Sequence, residues 1–177
     1  MKRLLTMSLI ASGLIMSVNV NAQKAPEDKS KRPSPPAKIT EKIKGGATIT
    51  IAYSQPSLKK RTIGKDLEPM DGKVWRTGAN EATTFETNKD VTIDGAKLPA
   101  GKYGLFTLFN GKSVTVIFNK TWDQWGAFKY KEGDDMLRVQ TTYTDEPTST
   151  ERMTFKIDKA GMVTLLWGNR KVVFHVR

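Results

Sequence analysis

The sequence predicts an all-β protein, an antiparallel β-sandwich of the jelly-roll type with about nine strands. Three observations predict it. Apolar and polar residues alternate with a period of two over most of the chain after Ile39, tight-turn dipeptides separate the alternating runs, and no amphipathic helical run reaches three turns. The sequence predicts at most one short helical turn, at 121–126, where Thr121 is a suitable N-cap.

The strands are predicted one by one from the alternating runs. Asp94-Gly95 and Asn110-Gly111 each separate two such runs, and the glycine adopts the positive φ that a tight hairpin turn needs. Gly168-Asn169 is interpreted as a further tight turn between the last two runs. The predicted strands lie at 47–53, 83–87, 91–93, 103–109, 113–118, 136–143, 152–157, 162–167 and 171–176.

The N-terminus carries the features of a cleavable signal peptide. Lys2 and Arg3 precede an apolar run at 4–18, and Val20-Asn21-Ala22 supplies the small residues that signal peptidase requires. The apolar run is shorter than the roughly 20 residues of a membrane-spanning helix. No later stretch is apolar enough to span a membrane. We therefore expect residues 1–22 to be removed and the protein to be exported, either to the periplasm or out of the cell.

Composition divides the remainder into two parts. Residues 23–38 are rich in Pro, Lys and Ser and poor in apolar side chains, which predicts a disordered linker. Residues 39–177 are long enough to form a single β-sandwich domain with a sizeable core. Because the chain has no cysteine, disulfides, thiol nucleophiles and thiolate metal sites are excluded.

The chain is basic, with a formal net charge of +11. A basic surface attracts anionic partners such as phosphates, anionic lipid and acidic glycans. We do not expect nucleic acid to be the partner, because the chain is predicted to be exported and its basic residues are spread among the strands. The expected partner is a polar or anionic ligand.

One loop, at 71–82, interrupts the alternating pattern. Trp75, Arg76, Asn80 and Glu81 are concentrated there. An arginine can hold a carboxylate or phosphate with two parallel hydrogen bonds, an amide offers both a donor and an acceptor, and an indole offers a stacking face. These four residues are therefore candidate ligand-binding residues. The alternative is an internal lock, in which Arg76 pairs with Glu81 and Trp75 packs in the core.

A second polar and aromatic segment lies at 119–130. Asn119, Gln124, Trp125 and Tyr130 are candidate ligand-binding residues there, because aromatic rings beside amides suit a sugar, whose faces are apolar and whose edge is hydroxylated. The alternative is that these aromatic residues close one end of the β-sandwich.

Catalytic candidates are weak. Glu81 and Asp123 are candidates for the two carboxylates that a glycosidase needs. For that role, the distance between the two carboxyl groups would have to match that of a glycosidase. Ser57 and Lys60 match the Ser-x-x-Lys spacing of penicillin-binding proteins, but its companion motifs are absent. His175 is the only histidine. The sequence predicts no metal site and no cofactor.

Several segments together resemble a family of exported bacterial proteins, domain of unknown function 2911. The resemblance covers the domain from about residue 45, and it implies export and a β-fold without assigning an activity. The long Pro- and Lys-rich N-terminal segment departs from the family pattern. The segments that carry the resemblance are YSQPSLKKRTIG (53–64), GKVWRTGANEATTF (72–85), LPAGKYGLFTL (98–108), VIFNK (116–120) and QWGAFKY (124–130).

The function expected from the sequence is that of an exported envelope protein that binds a polar ligand without catalysis. A glycan, a peptidoglycan fragment or an anionic polymer would fit. Two alternatives stay open. One is a small hydrolase that acts on glycans with a carboxylate pair, and the other is a purely structural envelope protein.

The signal peptide leads to a prediction about processing. We expect signal peptidase to cleave after Ala22, so that the exported protein begins at Gln23. Intact-mass spectrometry of the protein from envelope or secreted fractions measures this. An exported chain that retains Met1 would contradict it.

Overall fold

The computed structural model describes residues 27–177, and its fold is all-β and antiparallel, as predicted. Two isolated 3₁₀ turns, Lys29–Lys31 and Glu132–Asp134, are the only helical elements in this part of the chain. None of its helices is long and apolar enough to cross a membrane. The ten strands are β1 (Pro36–Lys42), β2 (Thr48–Ser54), β3 (Val74–Trp75), β4 (Thr84–Thr87), β5 (Val91–Ile93), β6 (Ala96–Leu98), β7 (Gly101–Asn110), β8 (Ser113–Asn119), β9 (Asp135–Ile157) and β10 (Met162–His175).

Most strands belong to one curled sheet. Their order is β1-β2-β4-β7-β8-β9-β10, with β3 paired to β7, while β5 and β6 form a separate hairpin. The curl brings distant strands together. Ser57, just after β2, bridges to Arg152 of β9, and Ile93 of β5 bridges to Val176, just after β10. The two sides of the core are therefore supplied by one continuous sheet and the hairpin that meets its end.

The main core fills the inside of this curl. Phe118 of β8 lies 5.0 Å from Phe85 of β4 and 6.0 Å from Phe174 of β10 between ring centroids, both edge to face. Tyr53 of β2 contacts Phe155 of β9 in the same way at 5.0 Å, and its hydroxyl accepts a 3.1 Å hydrogen bond from the backbone N–H of Phe155. Edge-to-face contacts between rings stabilise the fold beyond what the burial of the rings contributes. They join β2, β4, β8, β9 and β10 around a single centre.

Two of the predicted hairpins form. Asp94 and Gly95 both have positive φ and connect β5 to β6, which confirms the turn predicted there. The second hairpin joins β7 to β8, but its turn residues are Gly111 and Lys112, because Asn110 still pairs with Ser113.

The predicted turn at Gly168-Asn169 is wrong. Strand β10 continues through it, and the register against β9 shifts on both sides of Gly168, whose φ of 59° produces a bulge. The runs predicted as strands at 136–143 and 152–157 are likewise parts of one strand, β9. Its first part pairs with β8 and its second part with β10, so no turn is needed between them.

The N-terminal part of the domain also differs from the prediction. The linker boundary predicted at Lys38 falls inside β1, which pairs with β2 from Pro36 opposite Ser54 onward. An edge strand tolerates proline, because one side of it needs no N–H donors. The predicted signal peptide, 1–22, and the first linker residues lie outside the described residues. The one-turn helix predicted at 121–126 is absent from the structure, and this segment is irregular.

The last strand is packed so closely that one glycine cannot carry a side chain. Gly161 has a φ of 87°, its carbonyl accepts the N–H of Val176, and a Cβ there would overlap the Val176 carbonyl oxygen. Gly95 also has a positive φ, 91°, but a Cβ there would meet nothing within 4 Å. The two glycines therefore share backbone strain and differ in the space around them.

We expect Gly161→Ala to lower the free energy of unfolding by at least about 3 kcal/mol, because it adds a clash to left-handed backbone strain. Gly95→Ala, the matched control, is expected to cost only about 1–2 kcal/mol. Urea unfolding of both variants measures the difference. Equal losses would show that the approach of Val176 to Gly161 is not tight.

Candidate functional site

Three irregular segments meet at one end of the curled sheet: the connection from β2 to β3, the loop 76–83, and the connection from β8 to β9. Backbone hydrogen bonds join the last two, since Gly126 donates to Asn80 at 2.9 Å and Ala82 donates to Gln124 at 2.9 Å. The first segment is held against β9, where Met153 donates to Pro56 at 3.0 Å. These contacts bring most of the sequence-predicted site residues into one region.

A cavity of about 200 Å³ opens between the connection from β2 to β3 and the loop 76–83, and Ser34 and Trp167 of β10 complete its lining. It has both apolar and charged walls, and its charged side chains come from separate positions in the chain. The residues that line it are Ser34, Pro56, Arg61, Leu67, Glu68, Trp75, Arg76, Gly78, Ala79 and Trp167.

Arg76 is the unusual member of this cavity. Its Nε atom is fully buried and has no hydrogen-bond partner, and among residues 27–177 its guanidinium forms no ion pair. Burial lowers the pKa of Arg76, and the charge of Glu68 only partly opposes this effect. A buried donor without a partner is costly, so the cavity holds a half-buried cation whose Nε–H is unused.

The second arginine of the cavity, Arg61, is partly bonded within the protein. Arg61 donates from Nε to the carbonyl of Leu58 at 3.1 Å and from Nη2 to the carbonyl of Ser57 at 2.9 Å. These bonds orient Arg61 toward its own loop. Arg76 is therefore the arginine of this cavity whose side chain makes no hydrogen bond and no ion pair with residues 27–177.

The two tryptophans of the cavity shape it. Trp75 is only 2% exposed and donates from Nε1 to the carbonyl of Gly78 at 3.0 Å. Trp167 donates in the same way to the carbonyl of Glu68 at 2.8 Å. The predicted stacking face of Trp75 is thus used in the core, and its indole fixes the tight turn that follows Arg76.

Glu81 does not pair with Arg76, so the internal lock between these two residues, the alternative that the sequence left open, is absent from the described residues. Its partners come instead from the N-terminal segment: Lys29 and Arg32 each approach a Glu81 carboxylate oxygen to 2.8 Å. Partial burial alone would raise the pKa of Glu81, but the hydrogen bonds from these cations outweigh it and hold the pKa at about 2. The same segment is tied to Asn80, whose Nδ2 donates to the carbonyl of Ser34 at 2.9 Å.

Both candidate amides of the 119–130 segment are buried and internally bonded. Asn119 donates to the carbonyl of Lys131 at 2.9 Å and accepts the N–H of Thr121 at 2.8 Å. Gln124 donates to the Thr121 carbonyl at 2.6 Å and accepts the N–H of Lys129 at 2.9 Å. Their hydrogen-bonding groups hold the segment in shape, which agrees with the structural alternative for these two residues.

The candidate aromatic residues of this segment differ from each other. Tyr130 packs on Phe106 and donates from its hydroxyl to Asp135 at 2.8 Å; burial, assisted by this bond, raises its pKa. Trp125 is exposed, and the guanidinium of Arg32 lies 5.6 Å from its ring centroid. Only Trp125 of this pair presents its ring to solvent.

A second concavity, a surface groove of about 300 Å³, brings Glu81 and Asp123 to the same place. Tyr53, Thr84 and Trp122 also line it. Lys29 and Pro36 of the N-terminal segment form one of its walls. The structure therefore brings together the two carboxylates that the sequence singled out as catalytic candidates.

Sequence reasoning missed several residues of this region. Arg61, Glu68 and Trp167 line the cavity, and Lys29 and Arg32 bind Glu81. Of these, only Arg61 stands in a segment that the sequence singled out, 53–64, and it was not itself a candidate. Their contacts join positions far apart in sequence, for which a single sequence has no local signal. In the described part of the chain, metal-ligating side chains nowhere form a group of three or more.

Comparison with known proteins links the chain to a family. The sequence model of a family described as "Protein of unknown function (DUF2911)" matches residues 34–176, from just before β1 to just after β10. No curated protein and no solved structure matches the chain.

The ion pairs of Glu81 lead to a pH-dependent prediction. The pKa of Glu81 is about 2 in the folded protein against an ordinary 4.5, so its ionised form stabilises the fold above about pH 4.5. This contribution is lost as the pH falls from 4.5 toward 2. Because the side chain is 38% exposed, we expect Glu81→Gln to lower the free energy of unfolding at pH 7 by about 1 kcal/mol or less.

Denaturant unfolding of wild type and variant across this pH range measures the effect, and the two curves should converge at the acid end. Glu86→Gln is the control, since Glu86 is exposed on β4 and forms no ion pair with the described residues. A difference that persists unchanged at pH 2 would contradict the assignment.

Proposed function

The chain belongs to the DUF2911 family of proteins of unknown function, and we propose that it is an exported bacterial envelope protein that binds a polar ligand without catalysis. The ligand carries an anionic group, and Arg76 holds that group. A glycan with acidic substituents, a peptidoglycan fragment or an anionic polymer belongs to this class.

Export is supported by the N-terminal sequence. Lys2 and Arg3, the apolar run that follows, and the small residues that end at Ala22 have the order of a cleavable signal peptide. Export and removal of this peptide would leave the domain on the outer side of the cytoplasmic membrane. Cell-wall fragments and anionic polymers are polar ligands of that compartment.

The unused guanidinium of Arg76 carries the proposal. The buried Nε–H of Arg76 has no partner, and such a donor destabilises a protein unless a ligand supplies the missing bond. Carboxylates and phosphates match the guanidinium geometry with two parallel hydrogen bonds. Glu68 lies in the same cavity and only partly offsets the burial of Arg76, so an anion from outside the chain remains favourable.

The size of the cavity limits what enters it. A volume of about 200 Å³ is below the range of about 300–1,000 Å³ that encloses a drug-sized ligand. The cavity therefore holds one acidic group and its immediate neighbours, while the rest of the ligand lies outside. The buried indoles of Trp75 and Trp167 keep its walls in place.

A second candidate function is hydrolysis of a glycan by Glu81 and Asp123. The observation that favours it is that both carboxylates line the same groove. The pKa of Glu81, at about 2, is opposite to the raised value of a general acid, so Glu81 would act as a base or nucleophile and not as the acid. Its bonds to Lys29 and Arg32 further occupy the carboxylate. Binding at Arg76 is therefore the better supported function.

The binding proposal is tested with Arg76→Gln. We expect affinity for an acidic muropeptide, measured by calorimetry, to fall about 10- to 100-fold, the effect of losing charge-assisted hydrogen bonds. Thermal stability without ligand should be unchanged or higher, because a buried N–H without a partner is removed. Arg76→Lys should bind with intermediate affinity, because lysine keeps the charge and lacks the fork.

The matched control is Arg152→Gln, which removes one exposed arginine on β9 that forms no ion pair in residues 27–177. It should bind as wild type does. Polygalacturonate and inorganic phosphate serve as further anionic probes. If all three probes bind equally to wild type and Arg76→Gln, or bind to neither, Arg76 is not the ligand-binding residue.

A further inference from the structure

The connection between β8 and β9 exposes aromatic side chains to an unusual degree. Trp122, Trp125 and Phe128 lie within seven residues and are 37%, 53% and 86% exposed. Large apolar side chains that are clustered at a surface mark an interaction site, whereas single ones need no explanation. We call residues 122–128 the aromatic loop.

The aromatic loop is held in a fixed shape. Its stem closes where the N–H of Lys120 donates to the carbonyl of Asp134 at 2.9 Å. Its middle is tied to the neighbouring loop by a backbone bridge between Glu81 and Trp125, and the buried amide of Gln124 spans it from inside. A loop that is ordered before binding loses little conformational entropy when it binds.

Cationic side chains lie beside two of these rings, and further lysines lie on the loop and its stem. The Nζ of Lys102 lies 3.9 Å from the ring centroid of Trp122, and Arg32 covers Trp125. Four exposed lysines at the loop and its stem form no ion pair within residues 27–177. These are Lys102, Lys120, Lys129 and Lys131.

Of the acidic residues nearby, Glu132 and Asp135 pair with Arg138, whereas Asp123 and Asp134 form no ion pair with the described residues. Asp135 also accepts hydrogen bonds from Asn119 and Tyr130. Asp134 accepts a hydrogen bond from the hydroxyl of Thr121 at 3.1 Å. The four unpaired lysines outnumber Asp123 and Asp134, so the surface around the aromatic loop is basic as well as apolar.

We propose that the aromatic loop docks the protein on the surface of an anionic lipid bilayer, with Phe128 and Trp125 entering the interface and the surrounding lysines facing lipid phosphates. Tryptophan is enriched at membrane interfaces, and basic residues beside apolar ones bind anionic leaflets. This surface is separate from the Arg76 cavity and does not depend on its ligand.

The loop suits lipid better than a sugar or a second copy of the chain. Phe128 has no polar edge, and the hydrogen-bonding groups of Gln124 that a sugar would need are already used inside the loop. A second copy would bring the same unpaired lysines face to face, which is unfavourable. An anionic bilayer offers apolar and negative partners at once.

The test uses sedimentation of the purified protein with vesicles that contain phosphatidylglycerol or only phosphatidylcholine. We expect partitioning into the phosphatidylglycerol vesicles alone, with a blue shift of tryptophan emission that reports Trp122 and Trp125, because Trp75 and Trp167 are already buried. Phe128→Ser should lower the partition coefficient at least about tenfold. Replacing Lys129 and Lys131 by Gln should lower it about fivefold each.

Met162→Ser is the matched control, since Met162 is 37% exposed on β10, away from the aromatic loop. It should partition as wild type does, and both serine variants should melt at the wild-type temperature. The proposal is overturned if the protein ignores phosphatidylglycerol vesicles, if Phe128→Ser partitions as wild type does, or if soluble polygalacturonate binds with the same dependence on Phe128.

Discussion

The structure depends on burial of the inner face of one antiparallel sheet. A single sheet of this length leaves one face in water unless it curls, and the curl is completed where strands from opposite ends meet. Tyr53 supplies that closure on one side through Phe155, and Val176 supplies it on the other through Ile93. Phe118 lies at the centre and contacts rings from both sides. Because no disulfide is available, the stability of the domain rests on this burial.

The side chains at the polar end of the domain fall into two groups. Trp75, Asn119 and Gln124 use their hydrogen-bonding groups to fix irregular backbone where no strand can satisfy it. Arg76 and Phe128 do the opposite, since one keeps a cation unpaired and the other keeps a ring in water. Groups whose bonds or surface are left unused in the free protein mark where a partner is expected, and the fixed backbone around them lowers the entropy lost on binding.

Local signals in the sequence predicted the local features of the fold. The alternation of apolar residues and the turn at Asp94-Gly95 depend on neighbouring residues only, and both were confirmed. A Gly-Asn pair suits a turn and a bulge equally, so only the partner strand decides that Gly168 forms a bulge. The partner of Glu81 was missed for the same reason: Arg32 lies 49 residues away, and no pattern in the sequence links them. Which candidate residues are free for a ligand is likewise decided by contacts between distant segments.

The closure at Val176 has a consequence for the order of folding. Val176 is fully buried, donates a hydrogen bond to Gly161 and forms a β-bridge with Ile93 of the hairpin. The core is therefore not closed until this part of the chain is present. Contacts of such long range form late. In a chain that is still being synthesised, the domain would therefore not yet be folded, and an unfolded chain is the state that a protein-translocation channel accepts. For the export that we propose, the sheet would close only after the whole domain has crossed the membrane.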